Sequence, residues 1–152
     1  MRWPIILQIL AATAVSVTSF AGERGAPADA KAMLHEAVAH FNSAGRQQAL
    51  ADFNAGKAPF RDRDLYVVCI GADHKISANG GFPQYVGMSA DVLKDASGKL
   101  LGRAIVEAVE RTGEGSVAYM MVNPASGKVE PKVLYAQKVG DEVCGVGAYH
   151  VP

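Results

Sequence analysis

Residues 116–139 read SVAYMMVNPASGKVEPKVLYAQKV. Two apolar runs, Ser116 to Val122 and Val129 to Val139, flank Asn123-Pro124-Ala125-Ser126-Gly127, a proline and glycine turn of hairpin length, so the runs should pair antiparallel. Alternation along the first run puts Val117, Tyr119 and Met121 on one face and Ala118, Met120 and Val122 on the other. Working outward, Gly140-Asp141-Glu142 makes another tight turn into a last strand, Val143 to Val151. Upstream, Asp64 introduces Leu65-Tyr66-Val67-Val68-Cys69-Ile70, a β-branched apolar run too short for an unassisted helix and suited to a buried strand. Ala72-Asp73-His74 turns the chain into a weaker strand, Lys75 to Ala78, which Asn79-Gly80-Gly81-Phe82-Pro83 breaks.

The remaining segments are helical. Asp29 is placed to cap a helix from Ala30 to Asn42, whose Ala30, Leu34, Ala37, Val38 and Phe41 share one stripe, and Gly45 ends it. A second amphipathic piece, Gln47 to Asn54, carries Leu50 and Phe53 and stops at Gly56, with Lys57 to Arg63 as loop. Ile105, Val106 and Val109 give Leu100 to Arg111 helical spacing. The order predicts an α+β domain with an antiparallel sheet. The first helix covers one face, and the segment between the second and third strands caps the other, leaving a pocket between cap and sheet.

The chain has 152 residues, with 15 basic and 15 acidic side chains and 49% apolar residues. This is the balance of one globular domain, and it excludes disorder and the basic footprint of a nucleic-acid binder. Met1 and Arg2 precede an apolar stretch from Trp3 to Phe20, and Ser19-Phe20-Ala21 offers small residues where a signal peptidase reads. Residues 1–21 therefore read as a signal peptide cleaved after Ala21, followed by a flexible lead-in over 22–28 and a single domain over 29–152. An uncleaved anchor is the competing reading, weakened by Pro4, Gln8 and the Ser/Thr content. The expected product is periplasmic or secreted, without stable membrane insertion.

No catalytic apparatus is visible. His35 and His40 stand five residues apart on the first helix, about 140° round the axis, whereas one metal needs the i, i+4 spacing. His74 and His150 complete no constellation. A nucleophile elbow, a phosphate-binding loop, a dinucleotide glycine fingerprint and a haem-attachment motif are absent, so neither an enzyme nor a cofactor is expected.

Several strings in fixed order resemble the single Cache domains, type 2, a family of extracellular PAS-like sensor modules. They are Asp64-Leu65-Tyr66-Val67, Pro83-Gln84-Tyr85-Val86-Gly87, Lys94-Asp95-Ala96-Ser97-Gly98-Lys99, Asn123-Pro124-Ala125-Ser126-Gly127-Lys128, Pro131-Lys132 with Tyr135, and Gly145-Val146-Gly147-Ala148-Tyr149. The resemblance implies a five-stranded sheet in order 2-1-5-4-3, a long N-terminal helix behind it, and a pocket on the other face for a small organic molecule, commonly a short carboxylate. Two positions depart from the family pattern. Asn79 stands where a His often precedes the Gly-Gly-x-Pro segment, and Met88 where a Lys commonly follows the Val-Gly pair. The membrane-returning helix and signalling domain that usually follow are not seen after Pro152, so any effect is expected to pass through a receptor or other signalling partner protein.

That strand order makes Cys69 and Cys144 neighbours at the sheet centre. They can form a disulfide closing a long loop, worth about 4 kcal/mol in the chain-entropy model, or remain two small buried hydrophobes. A buried carboxylate ligand needs a cation or several donors. Candidates are Tyr85 and Phe82 in the capping loop, Asn79 before it, Tyr119 and Met121 on the third strand, Lys132 and Tyr135 on the fourth, and Arg103 on the middle helix. Lys132 and Tyr135 differ by three positions, so both line one pocket only if a bulge intervenes. The function this implies is binding of a small organic acid or similar metabolite; the alternative is a protein interaction module whose pocket its own side chains fill.

Overall fold

A computed structural model of the chain describes residues 24–123 and 126–149. The signal peptide with its cleavage site, residues 22–23 of the lead-in, Pro124 and Ala125 of the hairpin turn, and His150 to Pro152 lie outside the described residues.

Helix α1 spans Pro27–Ala44 and begins two residues before the predicted cap. Pro27 sits where its missing N–H costs nothing, and the Asp29 carboxylate reaches back to accept the Ala26 N–H at 3.0 Å, so Asp29 caps from inside the first turn rather than from the N-cap itself. Helix α2, Arg46–Asn54, follows after one glycine. Strand β1, Arg61–Asp62, was expected as loop; it pairs with Tyr66 and Leu65, and two charged residues carry no apolar period by which to recognise it. Then come β2 (Leu65–Ile70), β3 (Ile76–Asn79), short 3₁₀ turns at Pro83–Tyr85 and Ala90–Val92, α3 (Leu101–Glu110), β4 (Glu114–Val122), β5 (Val129–Val139) and β6 (Glu142–Tyr149). Glu142, expected in the turn, opens β6; its buried carboxylate accepts from Arg46 at 2.8 Å and from Ser77, tying α2 and β3 to the strand.

Every pairing is antiparallel, and the path β3-β2-β6-β5-β4 is the 2-1-5-4-3 order with β1 as an addition on the β2 edge. Alternation then sorts side chains to two faces. Leu65, Val67 and Cys69 of β2 with Cys144, Val146 and Ala148 of β6 pack under α1 and α2 against Leu34, Phe41 and Phe53. Phe53 meets Phe60 edge-on at 4.8 Å between ring centres. Cys69 and Cys144 are directly opposite each other and disulfide-bonded, with Cα atoms 4.1 Å apart.

The other face carries Val117, Tyr119 and Leu134 beneath α3 and the 82–100 segment. That cap is laced to the sheet by backbone bonds. Ile76 donates to Met88 and accepts from Gly87, and the Leu101 N–H donates to Leu93. At the far edge the buried Asp95 carboxylate accepts N–H bonds from Ser97, Lys99 and Met120. Burial pushes this carboxyl up, but the hydrogen bonds, led by that from Met120, more than offset it and hold it at about 2. The Asp95 loop thus occupies the open edge of β4 and closes the cap.

Candidate functional site

The registers place three side chains in a row on the capped face, because Tyr119 of β4 pairs with Lys132 of β5, which pairs with Tyr149 of β6. Lys132 is 2% exposed. Its Nζ lies 4.5 Å from the ring centre of Tyr149 and 4.8 Å from that of Tyr66, which β2 contributes from beyond β6. These faces stabilise a cation, but they are not acceptors, and among the described residues no carboxylate forms an ion pair with Lys132. Burial lowers the Lys132 ammonium to about 8, the attraction of Asp64 being the weaker, opposing influence. Burial likewise pushes the Tyr66 and Tyr119 phenols well up, so both are firmly protonated donors, and Tyr149, pushed up to about 12, gives its hydroxyl to the Val122 carbonyl at 2.9 Å.

Glycine makes the row possible. A Cβ on Gly147 would stand 2.7 Å from the Tyr119 hydroxyl and 3.0 Å from Lys132 Cε, so both side chains lie across bare backbone. A Cβ on Gly81 would meet the Tyr66 ring at 2.6 Å, and the capping loop closes onto that ring only because none is present. Asn79 shapes the loop. Its Oδ1 accepts the N–H groups of Gly81 at 3.2 Å and Phe82 at 2.8 Å, which fixes the amide orientation and leaves the NH₂ as a donor. Phe82 stands edge-on to Tyr66, with ring centres 5.8 Å apart, and is followed by Tyr85.

Between these groups is a cavity of about 50 Å³. One water needs roughly 10–15 Å³ by the same measure, so the space suits a molecule of a few heavy atoms. Lys132, Tyr66, Tyr119 and Asn79 give it a polar side, and Ile76, Leu101, Ile105 and Leu134 an apolar one. An anion with a short hydrocarbon body matches that division.

The family profile of single Cache domain 2 matches residues 24–150. The chain belongs to that family. Cache domains of this kind are extracytoplasmic sensor modules, which bind and signal rather than catalyse. Comparison with curated proteins finds no match. Among solved structures, the domain is similar to a methyl-accepting chemotaxis protein from Vibrio parahaemolyticus, with 20% identity and a TM-score of 0.63 over 80% of this chain and 86% of that one. It is also similar to a periplasmic sensor domain of a chemotaxis protein, with 22% identity and a TM-score of 0.61 over 80% and 88%. A third is a Cache chemosensory domain described for carboxylic acid recognition, with 19% identity and a TM-score of 0.61 over 80% and 86%. At these identities the likeness is one of fold.

Of the residues singled out from sequence, this Cache domain brings Asn79, Phe82, Tyr85, Tyr119, Met121 and Lys132 to one cavity. Tyr135 is elsewhere. Strand β5 runs in unbroken register against both neighbours, so without a bulge Tyr135 faces α1, where Lys31 Nζ lies 4.8 Å over its ring. Arg103 is on the outer side of α3, its side chain 59% exposed and 3.8 Å from Asp91. Tyr66 and Tyr149 were missed. Alternation put Tyr66 opposite Leu65 and Val67, on the face of Val68 and Ile70, so its signal was present. The placement of Tyr149 beside Lys132 depends on a β5–β6 register that no local pattern encodes. Among the described residues no cluster of His, Cys, Asp or Glu is arranged to hold a metal, and no helix is long and apolar enough to cross a membrane. His40 engages Asp52 at 3.0 Å instead.

Proposed function

We propose that this Cache domain binds a short monocarboxylate of about two to four carbons. The carboxylate pairs with the Lys132 ammonium and accepts from the Tyr66 and Tyr119 hydroxyls and the Asn79 amide, while the hydrocarbon body lies toward Leu101, Ile105 and Leu134. The observation that carries this reading is Lys132 itself, a buried cation without an ion-pair partner among the described residues, at the wall of a cavity. A buried charge left without a counter-charge is costly, and a ligand carboxylate supplies the compensation. The carboxylic acid recognition described for one structural neighbour agrees with this chemistry. The remaining free volume favours ligand binding over an interaction module with its pocket filled.

Residues 1–21 act as a signal peptide in this reading and deliver the domain 29–152 to the periplasm, where ligand occupancy is passed to a receptor or other signalling partner. The test is thermal denaturation and titration calorimetry with acetate, propionate, lactate and pyruvate at pH 7. A cognate acid at 100 times its Kd should stabilise the fold by about 2.7 kcal/mol. An unchanged melting temperature with every short acid would overturn the reading.

A further inference from the structure

We propose that Lys132 is also a covalent capture site for short carbonyl compounds, aldehydes and 2-oxo acids, which it holds as a reversible imine inside the cavity. The proposal uses the same cavity as the carboxylate reading but requires a bond in place of an ion pair, and the two fail separately.

Three observations converge on it. The amine is enclosed by apolar and aromatic groups, with Tyr66 on β2, Tyr119 on β4 and Tyr149 on β6 as the titratable neighbours that face it and Asp64 as the nearby acid that acts on it. A lysine in such surroundings gives up its proton more readily, the usual route to an amine nucleophile. With its ammonium at about 8, roughly a tenth of Lys132 is free amine at pH 7, on the order of a hundredfold more than a lysine at the ordinary value. Second, the Tyr119 hydroxyl and Lys132 Cε both lie within 3.0 Å of one point above Gly147, which sets a proton donor beside the amine arm. Third, a cavity of about 50 Å³ limits the electrophile to a few heavy atoms and keeps out bulkier sugars and side-chain carbonyls.

The step balances without any co-reactant. The Nζ lone pair attacks the carbonyl carbon and the C–N bond forms as the π pair moves to oxygen, which takes the Tyr119 hydroxyl proton. The phenolate recovers a proton from the new ammonium. The carbinolamine oxygen then leaves as water with the remaining amine proton, and C=N forms. Hydrolysis is the reverse, so occupancy follows the carbonyl concentration.

The test is reductive trapping on the purified wild-type protein. Cyanoborohydride with acetaldehyde, and separately with pyruvate, is followed by peptide mapping of every lysine. Lys132 should acquire an ethyl or carboxyethyl group at least about tenfold faster than the mean of the other lysines, and propionate should slow it without being attached. Lys132→Arg, which keeps the cation but cannot form an imine, should lose that fast site and leave surface labelling unchanged. Labelling of Lys132 no faster than the other lysines overturns the proposal whether or not propionate shifts the melting temperature. A propionate shift in that case leaves the carboxylate reading standing alone, and fast labelling without a propionate shift does the reverse. Trapping by one probe only assigns the site to aldehydes or to 2-oxo acids.

Discussion

The two faces of the sheet are built from the same strands, often from adjacent residues, yet they are opposite in character. Beneath α1, Cys69, Val67 and Val146 pack against Phe41 and Phe53 around a disulfide. Beneath the cap, Tyr66, Lys132 and Tyr119 surround free volume and a charge without an ion-pair partner. The contrast teaches that stability and recognition are separated here by a single peptide unit. One residue along a strand exchanges a dry, shape-filled core for a site whose polar groups await a ligand.

The largest expected effect is on the α1 face. Phe53→Ala should cost about 3–5 kcal/mol in chemical denaturation, because a fully buried ring leaves a cavity, while carboxylate affinity per folded molecule stays within about twofold. A large affinity loss would show that the faces are not independent. Next is Lys132→Met, which should move stability and binding in opposite directions. Removal of the buried charge raises the unfolding free energy by about 1–3 kcal/mol at pH 7, and the carboxylate Kd weakens about 100-fold. A variant that is both weaker-binding and less stable would make Lys132 a structural residue.

The same group fixes the sign of a pH effect. The folded-state value of about 8 lies below the ordinary 10.5, so between them the unfolded chain holds the extra proton and stability must rise with pH. The full gain is about 3 kcal/mol, complete above the ordinary value and absent in Lys132→Met. Carboxylate affinity runs the other way, flat below pH 8 and falling about tenfold per unit above it. Denaturation and calorimetry across that range check both slopes. A smaller effect is expected from Gly147→Ala, whose methyl displaces the Tyr119 hydroxyl and Lys132. It should weaken the carboxylate about tenfold and cost about 1–2 kcal/mol. The smallest is Tyr135→Phe, which faces α1 and should change affinity by less than about twofold in calorimetry; a larger change would put Tyr135 back in the site.

The faces also differ in how far they could be read from sequence. Leu65 to Ile70, Ser116 to Val122 and Val129 to Val139 declared themselves as strands through composition and alternation, and the helices through their stripes, because such signals are local. Lys132 and Tyr119 reached the candidate set by residue type, and alternation separated Tyr135 from Lys132 once no bulge interrupted β5. What escaped was pairwise. The approach of Tyr149 and Tyr66 to the ammonium comes from registers across three strands, and the turn of Arg103 toward Asp91 from the orientation of α3 on the sheet.

The Cys69–Cys144 bond ties together the two strands that carry Tyr66 and Tyr149, three and five positions away along the chain. A slip of one residue between β2 and β6 would rotate one of these rings out of the aromatic bracket and break the clamp on the lysine. The covalent pin works as a vernier stop: oxidation on the buried side sets the alignment at which the opposite side can sense, and the compartment's redox chemistry is thereby recorded in the geometry of the receptor.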